Sequence, residues 1–142
     1  MNIQSPATEP WPPILVADDE ETDRFIWQLA CERAPLPHPL ILAQDGQEAV
    51  DILATQPRPA MLVLDLKMPR MDGFDVLAWL AAREQFKGLP VFIFSSSSDE
   101  NDIRKAKQMG AWEYFVKPHE LGEWVKIIRT LPERSQIHHN HG

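Results

Sequence analysis

Two adjacent carboxylates, Asp18 and Asp19, follow the apolar run Ile14-Leu15-Val16-Ala17, and a third, Asp65, follows a second run, Met61-Leu62-Val63-Leu64. A hydroxyl, Ser95, ends the run Val91-Phe92-Ile93-Phe94, and an amine, Lys117, ends Trp112 to Val116. Three carboxylates gathered at one place repel one another by several kcal/mol at an effective dielectric of about 20, so they need a cation or shifted pKa values to coexist. Oxygen ligands of this hardness suit Mg2+. A divalent ion beside Asp65, with an ammonium and a hydroxyl in reach, neutralises the oxygens of a transferring phosphoryl group while the carboxylate attacks in line. The chemistry these residue types can do together is phosphoryl transfer to aspartate. Singly, each is an ordinary helix cap or loop charge; the shared position after a strand sets them apart.

The elements that must position them read as a repeated strand and helix. Ile14 to Ala17 is a strand, and Phe25, Ile26, Leu29 and Ala30 then recur at helical spacing up to Pro35. Leu40 to Ala43 is a second strand, Asp45-Gly46 a turn, and Ala49, Val50, Ile52 and Leu53 a helical stripe closed by Pro57 and Pro59. Met61 to Leu64 precedes the loop Lys67 to Gly73 and a helix bearing Phe74, Leu77 and Leu80. Val91 to Phe94 leads through Ser95 to Ser98 into a helix with Ile103, Ala106 and Met109. Gly110 reads as its C-cap, and Ser97 with Glu100 as its capping box. Trp112 to Val116 is the fifth strand, and Leu121, Trp124, Val125 and Ile128 the buried stripe of the last helix. Five continuous apolar strands alternating with five helices predict an α/β fold, a doubly wound parallel sheet covered on both faces. In such sheets ligands bind at the carboxyl ends of the strands, where the five chemical residues fall.

Length and composition fit this frame. At 142 residues the chain holds one domain with a sizeable core. A net charge of −7, from 14 basic and 21 acidic residues, argues against direct nucleic-acid binding, which needs clustered Lys and Arg. Cys31 is the single cysteine, so no internal disulfide forms, and a buried, inert thiol is expected. No apolar run is long enough to span a bilayer, and the expectation is a cytoplasmic protein with no membrane insertion.

From Ile14 to Leu131 the chain resembles the receiver domain of bacterial two-component response regulators, of the CheY-like superfamily. The matching residues are Asp18-Asp19, Asp65 with Lys67-Met68-Pro69-Arg70-Met71-Asp72-Gly73, Ser95, and Lys117-Pro118. The resemblance implies a flavodoxin-like sheet of strand order 2-1-3-4-5 with five helices. It implies that Asp65 is the phosphoacceptor, taking a phosphoryl group from the phosphohistidine of a histidine kinase or from a phosphotransfer protein. Mg2+ would be held by Asp19 directly, by Asp18 often through water, by Asp65, and by the backbone carbonyl of Lys67. Ser95 and Lys117 would bind the phosphoryl oxygens, Tyr114 would be the aromatic switch, and Lys117-Pro118 would be a cis peptide. The protein would be a phosphoacceptor in a phosphorelay rather than an enzyme with its own substrate, assisting its own phosphorylation and dephosphorylation. Its output surface would be helix 4, strand 5 and helix 5.

Residues 1–13, with Pro6, Pro10, Pro12 and Pro13, are expected to form a leader outside the core, residues 14–131 the receiver, and residues 132–142 a polar tail. His138, His139 and His141 in that tail read as a solvated terminus more readily than as a metal site. With so short a tail no output domain is expected, so a separate downstream protein must read the signal. The segment Pro90 to Ile103 is similar to that of stand-alone receivers that partner phytochrome-type kinases. Trp112 is a candidate anchor for a partner or a second copy, with strand-edge packing the plainer reading; Trp27, Trp79 and Trp124 read as core or partly buried helix residues. Two other readings compete. A receiver acting only as a phosphorylation-independent adaptor usually lacks one of the site residues, and all five are present. A phosphatase of the haloacid dehalogenase type needs an acid two positions after Asp65, where Lys67 stands.

Overall fold

The computed structural model describes residues 11–141, with side chains to Gln136. The strands are β1 (Ile14–Ala17), β2 (Leu40–Ala43), β3 (Met61–Leu64), β4 (Val91–Ser95) and β5 (Glu113–Val116). The helices are α1 (Glu21–Arg33), α2 (Gly46–Thr55), α3 (Gly73–Ala81), α4 (Glu100–Gln108) and α5 (Leu121–His141), with a 3-10 turn at Glu84–Phe86 after α3.

All strand pairs are parallel, in the order β2-β1-β3-β4-β5. Ala17 pairs with both Ala43 and Leu64, and Ser95 with Val116, so the strands end nearly level and present their next residues along one edge. Burial on both faces explains why β1, β3 and β4 are apolar throughout rather than alternating.

Two cores result. Leu15, Ala17, Leu62, Leu64 and Ile93 face α2 and α3, which contribute Val50, Leu53, Val76, Leu77 and Leu80, with Ala106 from α4. Ile14, Val16, Val63, Phe92 and Phe94 face Trp27 and Ala30 of α1 and Trp124, Ile128 and Leu131 of α5. Trp27 stands edge-on to Phe94 and Trp124, with ring centroids 5.2 and 6.1 Å away. Helices α1 and α5 cover one face and the others the opposite face, so the winding reverses between β1 and β3. That reversal opens a crevice at the strand ends, with Asp18 on one side and Asp65 on the other.

Several local readings change. Phe25 is 58% exposed; the buried residues of α1 are Trp27 and Ala30, a stripe rotated from the expected one. The cap of α4 is Asp99, whose carboxylate accepts the Asn101 N–H at 2.7 Å, while Ser97 Oγ accepts from Asp99 N–H and donates to Asp102. The expected Ser97 and Glu100 capping box is therefore absent, because Asp99 takes the cap position and the Ser97 N–H is taken by the Ser95 hydroxyl. Gly110 does end α4, in the left-handed region, with the Ala111 N–H on the Ala106 carbonyl.

Helix α5 does not stop at Leu131 but runs on through Pro132 to His141, so the backbone of the expected polar tail continues the helix. Proline removes one backbone donor, but the Arg134 guanidinium donates to Thr130 Oγ1 and pairs with Glu113 at 2.7 Å, tying the added turn to β5. Trp112 packs edge-on against Phe92 at the opposite end of the sheet from Asp65. Residues 1–10 of the expected leader, and the side chains of His138, His139 and His141, lie outside the described residues.

Candidate functional site

The strand ends place the acidic residues first. Asp65 is held by its own N–H on the Ala17 carbonyl at 3.0 Å, and Asp18 by its N–H on the Ala43 carbonyl at 3.1 Å, each extending the sheet by one bond. Asp18 is 1% and Asp65 6% exposed, whereas Asp19 is only partly buried. Asp18 Oδ1 accepts the Glu20 N–H at 2.9 Å, and Arg24 donates to the Asp18 carbonyl, which fixes the turn into α1. Below Asp65 the β3–α3 loop turns so tightly that a Cβ on Gly73 would stand 2.5 Å from the Asp65 carbonyl.

Lys117 reaches the same point from β5. Its Nζ lies 2.9 Å from Asp65 Oδ2, 2.9 Å from Asp18 Oδ2 and 2.6 Å from Asp23 Oδ2. Burial works against the Lys117 charge, but the hydrogen bonds its ammonium donates to Asp23, Asp18 and Asp65 outweigh it and raise the pKa. Burial pushes Asp18 up to about 6, against the lowering effect of Lys117 and the Glu20 amide. One shared ammonium does not neutralise so many carboxylates.

Oxygens of Asp18, Asp19 and Asp65 come within 4.8 Å of one another. Ligands on opposite sides of an octahedral Mg2+ ion lie about 4.2 Å apart, so small side-chain shifts bring these oxygens onto one ion. An all-oxygen, net negative donor set with Asp19 open to water fits such an ion. The cleft above, about 410 Å3, is lined by Asp19, Glu20, Asp23, Asp65, Lys67, Ser96 and Lys117. Among the expected residues, Asp18, Asp19, Asp65 and Lys117 thus meet at one place. The Lys67 N–H lies 3.4 Å from Asp65 Oδ1, and its side chain is exposed beside the cleft.

Ser95 and Tyr114 stand further back. Ser95 is 1% exposed, its hydroxyl accepting the Ser97 N–H at 3.2 Å and its carbonyl accepting the Lys117 N–H at 2.8 Å; the neighbouring Ser96 is the residue open to the cleft. Tyr114 donates its hydroxyl to the Ser97 carbonyl at 2.7 Å and packs partly buried on the α2–α4 face. The expectation of a cis Lys117-Pro118 peptide is overturned: the bond is trans. Trans is the lower-energy form of an X–Pro bond by about 0.5–1 kcal/mol, and from it Lys117 reaches all three carboxylates while the Pro118 carbonyl accepts the Trp124 indole N–H.

Asp23 escaped the sequence reading because it sits inside α1, where an acidic first turn is ordinarily a favourable helix start. The available signal was its spacing: one helical turn past Asp19, it faces the same edge.

The comparisons with known proteins agree with this geometry. The model of the response regulator receiver domain matches residues 14–129. Response regulator Rcp1 of Synechocystis is 28% identical over 83% of this chain and 84% of its own length. The regulatory protein PhoP of Bacillus subtilis is 32% identical over 87% of this chain, which spans only 50% of it. Among solved structures, response regulator RPA3017 in red light signalling of R. palustris is 32% identical, with a TM-score of 0.77 over 84% of this chain and 90% of that one. The phosphorylated cyanobacterial phytochrome response regulator RcpA is 29% identical, with a TM-score of 0.79 over 87% and 92%, and a Mn2+-bound form of Rcp1 has a TM-score of 0.76 at 28% identity over 84% and 91%. No helix among the described residues is long and apolar enough to cross a membrane. With its level strand ends, its Asp18, Asp65 and Lys117 cluster and the match over residues 14–129, the chain belongs to the response regulator receiver domain family.

Proposed function

We propose that the protein is a phosphoacceptor of a two-component phosphorelay and that Asp65 receives the phosphoryl group from the phosphohistidine of a sensor histidine kinase or phosphotransfer protein. The carrying observation is that Lys117 Nζ contacts Asp65 and Asp18 while oxygens of Asp18, Asp19 and Asp65 converge beside an open cleft. An Asp65 carboxylate oxygen forms the new bond to phosphorus, the phosphorus–nitrogen bond of the donor breaks, and the leaving imidazole keeps the electron pair and takes up a proton.

Asp18, Asp19, Asp65 and the Lys67 carbonyl would hold Mg2+, which when bound neutralises charge on the phosphoryl oxygens. Asp65 lies at the cleft rather than on a flexible loop tip, so the donor meets it in fixed geometry. Lys117 supplies a fixed positive charge, and Ser95 a hydroxyl that must leave the Ser97 amide to take part. Tyr114 is bonded to the carbonyl two residues past Ser95, so a shift of the β4–α4 loop reaches α4, β5 and α5, the surface proposed to be read by a downstream protein. The red-light and phytochrome contexts of RPA3017 and RcpA support a phytochrome-type kinase as the partner. The test is incubation with acetyl phosphate with and without Mg2+, followed by intact mass. One added phosphoryl group that appears only with the ion is expected; no addition, or addition independent of the ion, contradicts the proposal.

A further inference from the structure

We infer that Asp23 is a positioning residue that anchors the Lys117 ammonium during phosphoryl transfer. The inference rests on the receiver reading above and adds a residue to it. An ammonium has three N–H donors, and Lys117 directs them at three carboxylates, the shortest contact being the 2.6 Å bond to Asp23.

The three acceptors differ in what else they must do. Asp18 and Asp65 belong to the group of oxygens that converges for a cation, and Asp23 does not. A divalent ion would draw charge away from Asp18, and formation of the acyl phosphate removes the carboxylate charge of Asp65, so both release Lys117 just as phosphoryl oxygens arrive to replace them. Asp23 alone keeps an undivided carboxylate on the ammonium throughout. It is well placed for this, since α1 packs on α5 through the buried Trp27 and Trp124, and the Lys117 side chain is only 9% exposed. The contact reaches a lysine 94 positions away, which an acid serving only the start of α1 does not require.

Asp23→Asn keeps an acceptor for Lys117 but loses its charge; Asp23→Ala loses both. With acetyl phosphate and saturating Mg2+, the maximal phosphorylation rate should fall roughly tenfold in Asp23→Ala and less in Asp23→Asn, with Asp23→Glu partly restored. The KM for acetyl phosphate should not rise, because a negative charge near the anion has been removed, and Mg2+ affinity should stay within about threefold of wild type. In NMR spectra the Lys117 side-chain ammonium signal should broaden or vanish in Asp23→Ala. An unaltered maximal rate in Asp23→Ala overturns the inference, as does a fall matched by equal losses in Mg2+ affinity and thermal stability, which marks a merely structural residue. A wild-type protein that takes no phosphoryl group overturns the receiver reading and the inference with it.

Discussion

Lys117 Nζ lies 2.9 Å from Asp65 Oδ2 with both side chains nearly buried, so a positive charge is fixed at the acceptor before any phosphoryl group arrives. The same contact makes Lys117 a structural residue, because it is the cation shared by Asp18, Asp23 and Asp65. Removing the one cation of such a buried cluster costs about 3–5 kcal/mol, since the carboxylates remain buried and unpaired. Lys117→Ala should therefore lose stability on that scale in urea unfolding without divalent ions, and Mg2+ should restore more of it than it adds to wild type. Equal responses to Mg2+ in the two proteins would contradict this.

Asp18 makes the opposite prediction. Burial raises its pKa from 3.8 to about 6, so the folded state holds a proton that the unfolded state has already lost. Stability from this group is present below pH 3.8 and is lost as pH rises to about 6, leaving an ionised carboxylate that costs up to about 3 kcal/mol at neutral pH. Asp18→Asn keeps an oxygen for the Glu20 amide and should melt higher than wild type in EDTA, by about 1–3 kcal/mol. Its stabilisation by Mg2+ should largely disappear. A lower melting temperature in EDTA would count against the account.

Asp45 caps α2 by accepting the Glu48 N–H at 2.8 Å, and it pairs with Arg70, a residue at φ 68° in the loop after Asp65. The Glu48 amide, then Arg70, lower the Asp45 pKa despite the opposing effect of burial. Its stabilisation is present above the ordinary carboxylate pKa and is lost as pH falls through the depressed one. Asp45→Ala should cost about 1 kcal/mol near neutral pH; Asp45→Asn should cost less and flatten that acid limb. Thermal melts between pH 2 and 7 check both.

Two glycines separate crowding from propensity. A Cβ on Gly46 would stand 2.2 Å from the Met71 carbonyl, which also accepts the Gly46 N–H, so Gly46→Ala must push the β3–α3 loop away. A loss of about 1–3 kcal/mol is expected, together with weaker Mg2+ binding because Lys67 lies in that loop. Gly122 in α5 has open space around it, and Gly122→Ala should gain about 0.5–1 kcal/mol. Denaturant midpoints that move in the same direction for both would refute the packing argument.

Much of this was legible in the sequence. Strands buried on both faces must be apolar without interruption, so β1, β3 and β4 announce themselves, and the polar residues that end them mark the reactive edge. Asp18, Asp19, Asp65 and Lys117 could be assembled on that ground. Asp23 could not, because its role depends on how α1 packs and nothing local distinguishes it from a helix-starting acid. The continuation of α5 past Pro132 was hidden for a similar reason: proline reads as a stop, and the Arg134 to Glu113 pair that offsets it joins residues 21 positions apart. Phe25 misled the periodicity of α1 because an exposed aromatic fits the apolar stripe as well as a buried one.

The central claim is that Asp65 is the acceptor, and the most direct measurement is phosphotransfer from a labelled histidine kinase followed by chemical mapping of the labelled residue. The account predicts a single hydroxylamine-sensitive acyl phosphate on the peptide containing Asp65, and none in Asp65→Asn. Undiminished, hydroxylamine-sensitive labelling of Asp65→Asn would contradict it.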